Sequence, residues 1–595
     1  MVTTIKKCAQ KVREYMRFFS GSSKSLTAIA LAAFIGLPFA ATADQIQTTE
    51  INSAHHALSP TDTAELTEGN TLSGSYLAAR FAQRQQDWAA AQHYMNAAVE
   101  FDENNEHMVH RAFLLSLGAG EWGAAKRLAD KILLQQQAGL DFALIFTASE
   151  ALAKKDFTAA EEALAKLPDD GFGQYTKPLM TAWALAGKGE HEAALKALRA
   201  HADETDPTFN LHAAMMYDLA GDKENAAKHY TAVLEDSLTL HSALLLANFF
   251  ERYGDTATAQ RIYDGLGPLY APEKIDSHKT PMIRTAADGA AIAIFDLATL
   301  LFERRSYDSA QIYSRLVQML SPASAFGQLM LGDIATINER YAPAIAAYQS
   351  IGTASPLHTL SRLRIAEVYE SADLTDEATK MLRELAAHPA SRLQALIALG
   401  DMHRRRENFT DAVAVYDEAL SEVGEPTEAH WAVVYARGMS LERAQDWNRA
   451  EKDLLLALSF QPDNPMILNY IGYSWVDKGV NLQKAMDFIR RAVALRPDDG
   501  YILDSYGWAY YRLGDMEQAV HWLEKSVALV PDDSTILDHL ADAYWQAGRR
   551  TEARFKWLRA KELSKDSDFR AAIDGKLKSG IEPAATVVVQ KDTSL

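Results

Sequence analysis

The stretch Asp499–Asp533, DGYILDSYGWAYYRLGDMEQAVHWLEKSVALVPDD, decides the fold. Leu503, Tyr506, Gly507 and Tyr510 recur at helical spacing, and Ala519, Leu523 and Pro531 follow. Residues three, four and seven apart share one helix face, so each set marks a helix with one apolar side. Gly514-Asp515 between them is turn material, because glycine reaches the left-handed conformation that ends a helix. Pro531 stops the second helix, and Asp532-Asp533 supply side-chain caps for the next. Gly507 and Ala519 are small where the paired helices cross, since a large side chain there would force them apart. The same slots hold Leu537, Leu540, Ala541, Tyr544, Ala553 and Trp557 one period later. One period earlier they hold Leu468, Ile471, Gly472, Trp475, Ala485, Ile489 and Pro497. A single hairpin cannot bury both faces, so such units stack.

The spacings W-x2-L-G-x2-Y and A-x3-F with a late proline resemble the tetratricopeptide repeat (TPR) family. The resemblance implies an all-α fold, a right-handed superhelix (α-solenoid) whose first helices line a concave groove. It also implies a non-enzymatic scaffold or adaptor that binds a protein segment. The late units, NYIGYSWVDKG (469–479) and DSYGWAYYRLG (504–514), look like those of exported proteobacterial envelope TPR proteins. Some of those are similar in build to adaptors of periplasmic carboxy-terminal processing proteases.

Outward from this core, the small residue of the second helix can be tracked from Ala91 through Ala125, Ala160, Ala194 and Ala226 to Ala259. It resumes at Ala310 and runs through Ala344, Ala378, Ala412, Ala450, Ala485 and Ala519 to Ala553. The steps are 32 to 38 residues, except for 51 between Ala259 and Ala310. The slot three residues earlier is aromatic in half of the units, as at Trp88, Trp122, Phe157, Tyr307 and Trp447. Twelve to fourteen hairpins are expected, an N-terminal array over 71–266 and a C-terminal array over 285–565. Pro268, Pro272 and Pro281 fall in the long step, so 267–284 reads as a break or hinge, the alternative being a degenerate half-repeat that keeps the stack continuous. Residues 566–595 read as a polar capping helix and a disordered tail.

Before the arrays, Lys6, Lys7, Lys11, Arg13, Arg17 and Lys24 precede an apolar run from Leu26 to Ala41 that ends in Ala41-Thr42-Ala43. A basic region, a short apolar run and an A-x-A site make 1–43 a cleaved secretory signal peptide, with Met1 or Met16 as the start. The expected location is the periplasm, and 44–70 reads as a flexible leader. Cys8, the one cysteine, lies in the signal segment without a lipobox, so the mature chain has no thiol chemistry. The net charge of −19 argues against binding nucleic acid or an anionic membrane surface through bulk electrostatics. Membrane association would need an uncleaved signal segment or a membrane partner.

The sequence contains no G-x-x-x-x-G-K-[ST], H-E-x-x-H or G-x-S-x-G pattern, so neither catalysis nor a cofactor is expected. His107 and His110, one turn apart, lack further ligands and read as solvent-facing. The expected site is instead the groove of the last four units. Its exposed slots hold Tyr435, then Tyr470 and Tyr473, then Asp504, Trp508 and Tyr511, and finally Asp538, His539, Asp542 and Trp545. Aromatic rings interleaved with carboxylates suit a protein or peptide partner, the rings giving contact area and the charges register. Aromatic residues are also common in the packing between repeats, so about half of these rings are expected in the groove. A structural assembly factor bridging secretion or surface-polysaccharide machinery is the alternative reading.

Overall fold

The computed structural model describes residues 71–267 and 280–582, except 137, 170–172, 201, 203–204 and 236–237. The expected signal segment, leader and end of the tail lie outside the described residues, as does most of 267–284. Every long element among the described residues is an α-helix, and the helices pair into fourteen hairpins. The first six are α1 (Leu72–Arg84) with α2 (Trp88–Phe101), α3 (Glu106–Ala119) with α4 (Trp122–Gln135), α5 (Leu140–Ala153) with α6 (Phe157–Ala165), α7 (Gly173–Gly187) with α8 (His191–Arg199), α9 (Pro207–Leu219) with α10 (Lys223–Val233), and α11 (Leu240–Arg252) with α12 (Thr256–Leu266). Next come α13 (Ala286–Glu303) with α14 (Tyr307–Leu320), α15 (Ala325–Ile337) with α16 (Tyr341–Gln349), α17 (His358–Ser371) with α18 (Thr375–Ala386), and α19 (Pro389–Arg405) with α20 (Phe409–Val423). The last are α21 (Trp431–Arg443) with α22 (Trp447–Phe460), α23 (Pro465–Lys478) with α24 (Leu482–Leu495), α25 (Gly500–Leu513) with α26 (Met516–Leu529), and α27 (Ser534–Gln546) with α28 (Arg550–Leu563). A lone helix, α29 (Ser567–Ser579), follows.

The small slots do what the spacing demands. A Cβ on Gly507 would come within 2.6 Å of Leu523, and one on Gly472 within 2.6 Å of Ile489. Asp499 accepts from the backbone N–H groups of Tyr501 and Ile502, and Asp533 from those of Thr535 and Ile536. Only the second acid of each Pro-Asp-Asp run caps a helix. Asp532 lies one residue too early to reach the helix N-terminus and pairs with Arg559 at 3.0 Å. Each of the fourteen hairpin turns holds one residue with φ between 56° and 86°. Glycine supplies it in half of them; Gln86, Lys155, Arg305, Glu339, Asp373, Glu407 and Gln445 do so in the others. Turns without glycine therefore keep the same geometry at a local steric cost.

By its packing the chain divides into two compact units, residues 1–391 and 392–595. Helices α12 and α13, which flank 267–284, both belong to the first unit. Within that unit, α13 packs against α5, α7 and α9, and α14 against α3 and α5. The seventh hairpin thus covers the first helices of the second to fifth. Helix α13 (AADGAAIAIFDLATLLFE) is apolar nearly all round, and such a helix needs cover on more than one side. Trp183 of α7 is fully buried beneath it, and a Cβ on Gly289 would come within 2.2 Å of the indole. The Trp183 Nε1–H donates to His212 Nδ1 at 3.1 Å. Asp296 of α13 meets His241 of α11 at 2.8 Å, and Tyr313 of α14 packs on Phe142 of α5.

In the second unit the packing follows the chain. The first helices lie side by side, α23 on α25 and α25 on α27, and α29 rests on α28. One core, including Leu454, Ile471, Trp475, Ile489 and Tyr506, runs through several of its hairpins.

Candidate partner-binding groove

The ten residues expected to face a partner all lie on first helices of the second unit: Tyr435 on α21, Tyr470 and Tyr473 on α23, three on α25 and four on α27. They do not form a uniformly open surface. Tyr435, Asp504, Tyr511, His539 and Asp542 are buried, whereas Tyr470, Tyr473, Trp508, Asp538 and Trp545 are half-buried. Tyr435 meets Tyr470 edge to face, and the Tyr470 hydroxyl donates to Glu442 at 3.3 Å.

The centre of the set is a stack. Trp508 lies nearly parallel to Tyr511, with ring centroids 4.6 Å apart, and to His539, at 4.1 Å. His539 Nδ1 sits 3.0 Å from Asp504, which fixes the imidazole plane. Burial works against a charged imidazole here. The Asp504 carboxylate, with Asp538 and Asp542 nearby, outweighs it and holds the His539 pKa above its ordinary value. Burial also pushes the Tyr473 and Tyr511 hydroxyls up to about 12, so both rings stay neutral and able to donate. The indole Nε1–H of Trp508 and the side-chain oxygen of Asn469 are buried with no hydrogen-bond partner among the described residues. Unpaired polar groups of this kind cost stability unless something satisfies them.

The C-terminal end of the face is filled by the chain itself. Lys576 of α29 donates to Asp538 and to Asp542 at 2.7 to 2.9 Å, and Trp557 Nε1–H donates to Asp542 at 2.9 Å. Burial disfavours the Lys576 charge, yet the Asp542 and Asp538 carboxylates hold its pKa above the usual value. Gly580 lies so close to Trp545 that a Cβ would come within 2.0 Å of the indole. Gln546 donates to the backbone oxygen of Glu582 at 2.6 Å. Asp538, Asp542 and Trp545 are therefore engaged by residues 576–582, which leaves Tyr470, Tyr473 and Trp508 as the accessible core. Sequence reasoning gave α29 only a capping role and missed Lys576, a lysine in a polar helix with nothing in its local pattern to set it apart.

No group of three or more His, Cys, Asp or Glu residues among the described residues could hold a metal. His107 is exposed, but His110 is only half-exposed and packs on Gly139; burial, and then the neighbouring His107, hold its pKa below the ordinary value. No helix among the described residues is long and apolar enough to cross a membrane.

The family model described as Tetratricopeptide repeat matches residues 363–425, 435–500 and 506–567. These residues form tetratricopeptide repeats. The TPR repeat-containing protein PA4667 of Pseudomonas aeruginosa is 30% identical over 187 residues, 31% of this chain and 31% of that protein. The Protein O-mannosyl-transferase Tmtc1 of Drosophila melanogaster is 29% identical over 117 residues, 20% of this chain and 14% of that protein. The chain thus spans under a third of these curated relatives. Among solved structures, the APC/C hetero-tetramer Cut9-Hcn1 aligns over 86% of this chain and 96% of that one, with a TM-score of 0.36 and 14% identity. Yeast Tom70 covers 86% of this chain and 95% of its own, with a TM-score of 0.32 and 13% identity. TPR scaffolds typically mediate protein–protein interaction.

Proposed function

We propose that the chain is a non-enzymatic adaptor of the bacterial cell envelope, holding a partner protein segment on the first-helix face of its second unit. The observation that carries this reading is the platform of Trp508 clamped by Tyr511 and His539. It is stacked before any partner arrives, and it contains an indole N–H without a partner among the described residues. Preorganised aromatic anchors lose little side-chain entropy on binding, which is why such residues dominate interfaces. The secretory pattern of residues 1–43 supports a periplasmic location, and the likeness of the late units to envelope proteins supports delivery of substrates to a processing protease. The O-mannosyl-transferase likeness covers a small part of that protein and lends no transferase chemistry to this chain.

The test is crosslinking of the tagged full chain in the native envelope, beside a Tyr473→Ala/Trp508→Phe variant. A partner lost at least tenfold in the folded variant supports the groove. An unchanged partner set overturns it and favours a bridging scaffold. Recovery from the cytoplasm alone overturns the envelope assignment.

A further inference from the structure

The first unit carries a concentration of unpaired positive charge that the groove reading does not use. Where α14 to α16 return to the first hairpins, two neighbouring cavities open, of about 440 and 250 Å³. Gln86 lines both. The smaller is bordered by Arg80, Arg84 and Arg111, and the larger by Arg315, Arg340 and Trp88. Among the described residues only Arg340 has a carboxylate within salt-bridge distance, Asp87 at 3.0 Å. Arg111 is held by the Gln83 side-chain oxygen, and Arg315 by the Gly118 carbonyl and Gln318. Arg80 reaches only the Tyr76 hydroxyl, at 3.5 Å, and Arg84 has no partner among the described residues. Asp308 borders the smaller cavity but accepts from Gln86, not from an arginine. The Trp88 indole N–H, at the wall of the larger cavity, is buried without a partner.

Four arginines without a salt bridge among the described residues, with Asp308 acting on Arg111 only beyond salt-bridge distance, are unexpected in a chain of net charge −19. Arg80 and Arg111 are close enough to repel, and Tyr76 and Asp308 offset part of that. Burial and then the Arg80 charge hold the Arg111 pKa below its usual value, and burial alone does so for Arg315. Such an arrangement gains from an incoming anion, which adds attraction at each guanidinium and relieves the repulsion between Arg80 and Arg111.

We propose that this cleft is a second binding site, which takes a carboxylate-bearing segment of a partner protein with Arg84 and Arg315 as its anchors. A guanidinium fork matches a carboxylate through two parallel hydrogen bonds. The side-chain amides of Gln86, Gln318 and Gln328 offer both donors and acceptors to peptide groups. The volume suits a few side chains, and the acidic chain as a whole repels an extended polyanion. The site exists only because the seventh and eighth hairpins return to the first, so its occupant also bridges that closure.

The test is calorimetric titration of the full chain at low ionic strength with N-acetyl-tetraglutamate amide, the matched tetraglutamine peptide and inorganic phosphate. The tetraglutamate is expected to bind and to weaken with added salt, whereas tetraglutamine does not bind. Arg84→Gln, a change at an exposed residue with no partner, is expected to weaken binding at least threefold with helicity unchanged. Arg84→Gln/Arg315→Gln is expected to weaken it at least tenfold. No tetraglutamate binding, equal binding of the two peptides, or full binding by both variants would overturn the site. Phosphate that competes as strongly as the peptide would make it a simple anion site and overturn the protein-segment occupant.

Discussion

The two units use the same hairpin and treat its inner face in opposite ways. In the first unit that face is covered by a later hairpin of the same unit, with Trp183 beneath Gly289 and Phe142 against Tyr313. In the second unit the corresponding face keeps half-buried rings and polar atoms without a partner among the described residues, and its last hairpin is covered by α29 and residues 580–582. The difference lies in what the repeat does not specify. The small residues at which the two helices of a hairpin cross, such as Ala125 and Ala160 in the first unit and Ala485 and Ala519 in the second, recur in both units, whereas the inner-face residues differ. Alanines and isoleucines on α13 turn that freedom into core, and tyrosines, tryptophans and aspartates on α23 to α27 turn it into a surface.

The largest effect that would break the comparison is expected at Trp183. Trp183→Ala should destabilise the first unit by ~3–5 kcal/mol, because it empties a fully buried site under α13. Urea unfolding followed by hydrogen exchange should show the loss in residues 72–386 with the second unit unchanged. An equal loss in both units would mean that they are not independent. Next is Lys576→Ala, which leaves Asp538 and Asp542 facing each other without a cation. A destabilisation of about 2–3 kcal/mol is expected, confined to α27–α29, since breaking a partly buried pair strands its charges. Thermal unfolding of that variant within a few tenths of a kcal/mol of the parent would show that the pair contributes nothing net.

The smallest effect is a pH dependence. His539 has a folded pKa above its unfolded value near 6.5, so its bond to Asp504 stabilises the second unit fully below that value. The contribution, about 1.5 kcal/mol at the low end for a hydrogen bond to a charged group, is lost as pH rises through the folded pKa. A His539→Gln variant should lack this decline in a stability–pH profile. A parallel decline in both proteins would assign the effect to other groups.

Much of the fold was legible because the TPR pattern is local. Gly507 against Leu523, Gly472 against Ile489 and the caps at Asp499 and Asp533 each join residues less than one repeat apart, and the alanine spacing carries the register along the chain. The seven hairpin turns without glycine were less legible, since Lys155 or Gln445 carries no turn signal, and only the geometry of the neighbouring turns imposes its conformation. The groove was legible as a face but not as a state. Spacing placed Asp538, Asp542 and Trp545 on one side of α27, yet their engagement by Lys576, Gly580 and Glu582 depends on where the chain turns after α28.

The sequence by itself determined the hairpin, its repetition and its all-α solenoid character, because nearest-neighbour packing is written into small and large residues at fixed spacing. Only the tertiary structure decided which inner faces are core, which are surface, and where Arg80, Arg84, Arg111 and Arg315 come together. Those arrangements join residues some two hundred positions apart, as Gln311 and Gly118 are joined, and a periodic signal has no means of encoding which distant repeat returns to meet it.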